Sequence, residues 1–256
     1  MDSEVPCVVV GSSRGLGAAL VDELLKHESF QITGIARSPA LRVASGRYRH
    51  IELDIAGGDA TLRLQKELVD HLPQKPLVVI FNAALVKSDV GDSGCVDSAI
   101  GREIDRVGVD GLRSTLGAFE GHLLRWGGVL VGISSFSALL PPIMDQRVAY
   151  PATKAYLDMT LRCLRMMWRG RVKVVTVHLG HFSPDGKWLL FWQAVPSCAM
   201  VARKIVAGIT SARVSDEINY PFHYTLAYKY LLRALPERCY GAVLALLSRI
   251  LHRGGL

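Results

Sequence analysis

Residues 7–17 read Cys-Val-Val-Val-Gly-Ser-Ser-Arg-Gly-Leu-Gly, "CVVVGSSRGLG". An apolar run rich in valine that ends in glycines at 11, 15 and 17 reads as a buried strand turning tightly into a helix, because the amphipathic stretch Ala18 to Lys26 follows at once. Glycines at such a turn let the backbone come close to a diphosphate, and the helix start offers unpaired N–H groups with a favourable dipole. The spacing, G-x3-G-x-G, differs from the G-x-G-x-x-G dinucleotide fingerprint. A glycine triplet alone marks many simple turns, but this one is preceded by a strand and opens a helix. Gly11, Ser13, Arg14, Gly15, Leu16 and Gly17 form the candidate phosphate cradle.

Beyond this unit the same alternation continues. Gln31 to Arg37, His50 to Asp54, Leu77 to Asn82, Gly128 to Ser135 and Val172 to Gly180 read as further buried strands, mostly continuous rather than alternating. That pattern belongs to parallel sheets covered on both faces. Helical patterns run over Ala18 to Lys26, Ala60 to His71, Ile104 to Trp126 and Ala152 to Trp168. The expectation is an α/β fold of Rossmann type, a doubly wound parallel sheet flanked by helices, with its ligand crevice at the carboxyl ends of the strands. Residues 1–221 form the expected main domain, and 222–256 a C-terminal helical extension packed on it.

Composition bounds the function classes. The 256 residues are 50% hydrophobic and 21% charged, which suits one large domain with a two-sided core. The formal charge of +7 comes without a dense Lys/Arg block or a nucleic-acid motif, so nucleic-acid binding is not expected. Five scattered cysteines, an odd number without a C-x-x-C pair, argue against a complete disulfide framework and for a reducing cytoplasm. The acidic start "MDSEVPCVVVG" is too short for a secretory signal.

Two more motifs carry chemistry. The fourth strand ends in "FNAAL", with Asn82 and Ala83, and after the fifth strand comes "VAYPATKAY", with Tyr150 four residues ahead of Lys154. With the glycine loop, their order and spacing resemble the short-chain dehydrogenase/reductase family from Val8 to about Tyr220. Val10 stands where that family often has threonine, and Ala84 where it has glycine. The resemblance implies an oxidoreductase in which Tyr150 exchanges a proton with a carbonyl or alcohol oxygen. A free phenol has a pKa of about 10, so a fixed ammonium one helical turn away must favour its ionised form. Lys154 takes that role and is expected to hold the nicotinamide ribose. Ser135, ending the fifth strand, is expected to bind the substrate oxygen; counting back from Tyr150 would pick Ser137. A simple turn-capping serine is the alternative.

Departures from the family pattern stand beside these matches. Gly108 occupies the position of an asparagine that anchors a water chain to the lysine, and glycine supplies no amide side chain. The Pro-Gly after the sixth strand becomes Leu179-Gly180, and Ser183 falls one residue short of the usual threonine. Gly180 is still expected beside the cofactor.

Cofactor type turns on the end of the second strand. An acidic residue there would receive ribose hydroxyls, whereas Arg37, with Ser38 beside it and Arg14 in the glycine loop, suits a 2′-phosphate, and no carboxylate is near in sequence. NADP(H) is the expected cofactor, with Asp54 at the adenine. His178 and His181 flank a glycine and have no third ligand at metal-site spacing, so no metal is expected. "DGKWLLFWQAVP", residues 185–196, occupies the place of a substrate-covering loop with Trp188, Phe191 and Trp192 as an apolar lid. The extension carries two apolar helical patterns, 224–236 and 240–253, each shorter than a membrane span. It is expected chiefly to pack beside the substrate loop around Trp188 and Trp192, with peripheral contact at a membrane surface second and an oligomer face a further alternative. Two functions stay in view: an NADPH-dependent reductase of apolar carbonyl compounds, or the reverse alcohol dehydrogenase, and a cofactor-binding scaffold or redox sensor with weak turnover.

Overall fold

The computed structural model describes residues 4–39, 46–91, 93–141, 147–184, 187–190, 193–221 and 225–236, with positions 239, 241 and 242. Phe191, Trp192 and most of 240–253 lie outside the described residues, as does the side chain of Trp188.

The glycine-rich unit folds as its residues dictate. β1 (Val5–Val10) runs into the turn at Gly11, and α1 (Gly15–Leu25) returns over the sheet, burying Leu16, Leu20, Val21 and Leu24. The chain continues through β2 (Phe30–Ala36), β3 (Tyr48–Glu52), α2 (Ala60–Glu67), β4 (Leu77–Phe81), α3 (Ser98–Asp105), α4 (Gly111–Trp126), β5 (Gly128–Ser135), α5 (Ala149–Met167) and β6 (Lys173–Leu179). Next come β7 (Lys187–Leu190) and β8 (Gln193–Val195), a small antiparallel pair, then α6 (Cys198–Thr210) and β9 (Glu217–Tyr220).

Seven strands pair in parallel in the order β3-β2-β1-β4-β5-β6-β9. The order reverses between β1 and β4, and α1 and α4 therefore leave the sheet toward opposite faces. Cys7, Val9, Ile80, Val131, Val175 and Val177 face α1 and α6, while Val8, Val10, Val79, Phe81, Leu130 and Val174 face α2, α4 and α5. Both faces are dry, which explains why the strands read as continuous apolar runs. The carboxyl ends of β1, β4 and β5 open onto one crevice at the reversal.

Three elements differ from expectation. β9 is only four residues long, Glu-Ile-Asn-Tyr, and lacks an apolar run because it closes the sheet edge, pairing Thr176–Leu179 of β6 with Glu217–Tyr220. The helix expected over Ile104 to Trp126 begins earlier, at Ser98, and is divided by a π-helical turn, Arg106–Asp110, around the buried Gly108. The extension opens with a π-helical turn, Thr225–Leu231, and a short 3-10 turn, Leu232–Ala234, rather than an α-helix. Thr225 directs both its N–H and its hydroxyl to the Pro221 carbonyl, and Lys229 pairs with Glu217 of β9. No helix among the described residues is long and apolar enough to cross a membrane.

Candidate active site

The crevice begins with the glycine turn. Gly11 and Gly15 have positive φ, 86° and 54°, and a Cβ at Gly11 would lie 2.7 Å from the Ala83 backbone. A Cβ at Gly17 would run into the Gly11 carbonyl and lie 2.8 Å from Asn82 Nδ2. Asn82 locks the same corner by donating from Nδ2 to the Gly11 carbonyl at 2.8 Å, while its amide donates to Val10. No side chain caps α1 and no acid occupies its first turn, so its first N–H groups face the crevice. These features leave room and donors for a diphosphate.

At the opposite end of the crevice stand Ser135, Tyr150 and Lys154. Lys154 is 5% exposed, and burial lowers its ammonium pKa to about 8. Nζ donates to the Ile133 carbonyl at 2.7 Å and lies 5.6 Å from the centre of the Tyr150 ring. Arg147 approaches that ring at 6.0 Å. Ser135 Oγ accepts from the Ser137 amide at 3.2 Å and from the Ser137 hydroxyl at 2.9 Å. The two serine candidates are thus bonded to each other; Ser135 lines the crevice, while Ser137 stands behind it.

A single cleft of about 360 Å³ joins both ends. Its walls include Gly11, Ser13, Arg14, Gly15, Leu16, Arg37, Asp54, Asn82, Ala83, Ser135, Tyr150, Lys154 and Gly180, which is every expected site residue except Gly17, the packing glycine below the loop. Leu85, Val86, Val107 and Phe182 add apolar surface. Arg14 and Arg37 are exposed, and Asp54 turns Oδ1 to the Ala56 amide at 3.1 Å. Ser183, three residues past Gly180, keeps a buried hydroxyl without a hydrogen-bond partner among the described residues. An uncapped helix start and a glycine cradle fit the diphosphate of a bound nicotinamide dinucleotide.

Several contacts around the crevice were not legible in the sequence. Asp89 is 1% exposed and accepts from the amides of Val148 and Ala149 at the start of α5. Glu103, on α3, accepts from Lys87 at 2.7 Å, and Lys87 first, then the more distant Arg37, hold its carboxyl below the usual range. Gly108 has no room for a side chain, since a Cβ would lie 2.8 Å from Thr153 Cβ. Thr153, just before Lys154, fills the space that the family's asparagine would take.

The histidines separate. His178, 1% exposed, meets Asp158 Oδ1 at 2.8 Å and Asn219 Oδ1 at 3.1 Å through its two ring nitrogens, and stacks on Phe136. Burial alone would raise the Asp158 carboxyl, but His178, Arg162 and Arg165 outweigh it and hold the group below its usual value. Among the described residues no three His, Cys, Asp or Glu side chains gather as metal ligands, and the five cysteines are free.

The short chain dehydrogenase family model matches residues 6–190. The chain belongs to that family. Its members are oxidoreductases that use NAD(P)(H). A short chain dehydrogenase from Burkholderia cenocepacia J2315, in complex with NADP, is similar over 95% of this chain and 98% of its own, with 21% identity and a TM-score of 0.76. A short-chain dehydrogenase from Streptomyces avermitilis covers 99% of both chains at 19% identity and a TM-score of 0.70. The aldohexose dehydrogenase of Thermoplasma acidophilum, ligand-free, is 16% identical over 85% of this chain and 92% of its own, with a TM-score of 0.67. These similarities concern the fold. No curated protein matches the chain in sequence.

Proposed function

We propose that this short-chain dehydrogenase uses NADPH to reduce the carbonyl group of an apolar small molecule, or runs the reverse oxidation. The observation that carries the reading is the single cleft that brings the glycine cradle, Arg37 and the Ser135, Tyr150, Lys154 set together. NADPH supplies the hydride that reaches the carbonyl carbon. Ser135 donates to the carbonyl oxygen, and Tyr150 gives that oxygen its proton, completing the alcohol. Lys154 steadies the phenolate left behind and, turned from the Ile133 carbonyl, binds the ribose hydroxyls. Leu85, Val86, Val107 and Phe182 keep water from the reacting carbon and favour an apolar substrate. The first turn of the extension packs beside residues 136–138, which follow Ser135.

Arg37 and Arg14 make NADPH the preferred cofactor, because a guanidinium meets a phosphate through charge-assisted hydrogen bonds. Glu103 does not reverse this preference, since Lys87 already pairs with it. Arg37→Ala is expected to weaken NADPH binding about ten- to hundredfold while hardly changing NADH, as loss of a charged hydrogen bond of about 1.5 to 3 kcal/mol implies. Fluorescence titration of both cofactors checks this, and equal losses would refute the 2′-phosphate assignment.

A second reading, a cofactor-binding protein with little turnover, draws on Gly108. The side chain that would anchor a water chain is missing, and Thr153 fills its place. Consumption of NADPH across a panel of aldehydes and ketones separates the readings.

A further inference from the structure

Asp89 lies in the loop after β4, a few residues past Leu85 and Val86. Its backbone carbonyl accepts from Asp97, Val90 bridges to Val96, and Asp97 caps α3 by accepting from Ala99 and Ile100. The loop is therefore built around a short antiparallel contact that fixes where the Asp89 side chain points. It points at the catalytic helix: Oδ1 accepts from Val148 at 2.9 Å and Oδ2 from Ala149 at 2.8 Å. The next residue is Tyr150.

We infer that Asp89 is a positioning residue for the proton transfer: its carboxylate fixes the first turn of α5 and offsets the cations around the Tyr150 phenol. This rests on the proposed role of Tyr150 as proton donor. Two cations attend the ring, Lys154 at 5.6 Å and Arg147 at 6.0 Å, and both favour phenolate. A donor for carbonyl reduction must keep its proton until the hydride arrives. Asp89 places one negative charge beside the positive end of the α5 dipole and close to Arg147, which favours the neutral phenol. Burial opposes the charge on Asp89, but the Val148 and Ala149 amides, with Arg147, hold its carboxyl below the ordinary value, so the charge is present at neutral pH.

The charged side chains of α3 lie in solvent. α3 packs on this turn through Gly101, whose missing Cβ would sit 3.8 Å from Ala149, while Arg102, Glu103 and Asp105 are exposed. Lys87 and Glu103 pair with each other in solvent. Among the described residues, Asp89 is the carboxylate bonded directly to the turn that carries Tyr150.

The test is the ionisation midpoint of Tyr150, read from the Cζ resonance of 13C-tyrosine-labelled protein and assigned by its loss in Tyr150→Phe. Asp89→Asn is expected to lower the midpoint by about half a unit to one unit, and Arg147→Gln to raise it by a similar amount, the usual effect of one nearby charge in a partly solvated site. NADPH affinity should stay within about threefold in both, since neither side chain belongs to the proposed cofactor site. Asp89→Ser, which is neutral yet still accepts from the helix amides, replaces Asp89→Asn if that variant does not fold. A folded neutral variant with an unchanged midpoint would reduce Asp89 to a helix cap and overturn the inference; so would an unshifted Arg147→Gln if neither Asp89 variant folds. Turnover surviving in Tyr150→Phe would refute the proposed function separately, because the titration judges Asp89 without requiring turnover.

Discussion

Lys154 is the residue at which stability and chemistry conflict. Its ammonium is buried, and the loss of water around it lowers its pKa from the ordinary 10.5 to about 8. Below pH 8 both folded and unfolded chains carry the proton, and the folded state bears the full cost of burying it. Between about pH 8 and 10.5 the unfolded chain holds more protons than the folded one, so stability rises with pH across that window. Lys154→Met is therefore expected to stabilise the protein at pH 7 by about 1 to 3 kcal/mol while abolishing turnover, and the gain should shrink as pH passes 8 toward 10.5. Thermal unfolding as a function of pH checks it; a variant destabilised at pH 7 would contradict it. Residue identities at this scale were largely legible beforehand. Gly11, Asn82, Ser135, Tyr150 and Lys154 each sit at a strand end or a helix start, where short local spacing sets their place. Asp89 was not, because its partners lie about sixty residues away in the chain and no local pattern encodes that meeting.

At the scale of elements, size at Gly108 sets how the junction of α3 and α4 meets α5, beside the Arg113 donation to the Tyr156 hydroxyl at 3.3 Å. The buried Gly108 in the π-helical turn lets Thr153 fit against it, and Thr153 in turn donates to the Tyr150 carbonyl at 2.8 Å. An added methyl at 108 must push the β-branched Thr153, and overpacking of that kind costs about 1 to 3 kcal/mol. Gly108→Ala is expected to destabilise by that amount. In the Thr153→Gly background the same change should cost markedly less, giving a favourable coupling of about 1 kcal/mol in a double-mutant cycle read by denaturant unfolding. Additive costs would mean that the two positions are independent. An asparagine at 108 has no more room than alanine, so restoring the family's residue alone is expected to disturb α5. The sequence disclosed the missing asparagine but not the reason for its loss, since Gly108 and Thr153 meet only after two helices pack. β9 escaped notice for a related cause: a four-residue edge strand lacks the continuous apolar run by which β1, β4, β5 and β6 announced themselves.

For the whole molecule, the reversal of strand order between β1 and β4 makes the cleft, and the two dry faces hold it open. The doubly wound sheet was legible because five interior or near-interior strands carry their burial on both faces in sequence. What the sequence could not place was the distance across the site, which depends on how β1, β4 and β5 end relative to α5. A ligand bound only to the folded state adds stability as the logarithm of one plus its concentration over its dissociation constant. NADPH at about one hundred times its dissociation constant is therefore expected to add about 2.7 kcal/mol, raising the melting temperature, whereas NADH at the same concentration should add much less. Equal shifts with the two cofactors would argue against Arg37 as the selecting residue.

The central claim is that one cleft carries hydride and proton to the same carbonyl. It is tested most directly with NADPH doubly deuterated at C4 and a panel of apolar aldehydes and ketones, with mass spectrometry of the alcohols formed. One deuterium is expected on the former carbonyl carbon of at least one product, with a rate at least about a hundredfold lower in Tyr150→Phe, whose NADPH affinity stays within about threefold because the change deletes only the transferable proton. A panel that yields no deuterated alcohol, or a Tyr150→Phe protein that forms it as fast as the parent, would contradict the account.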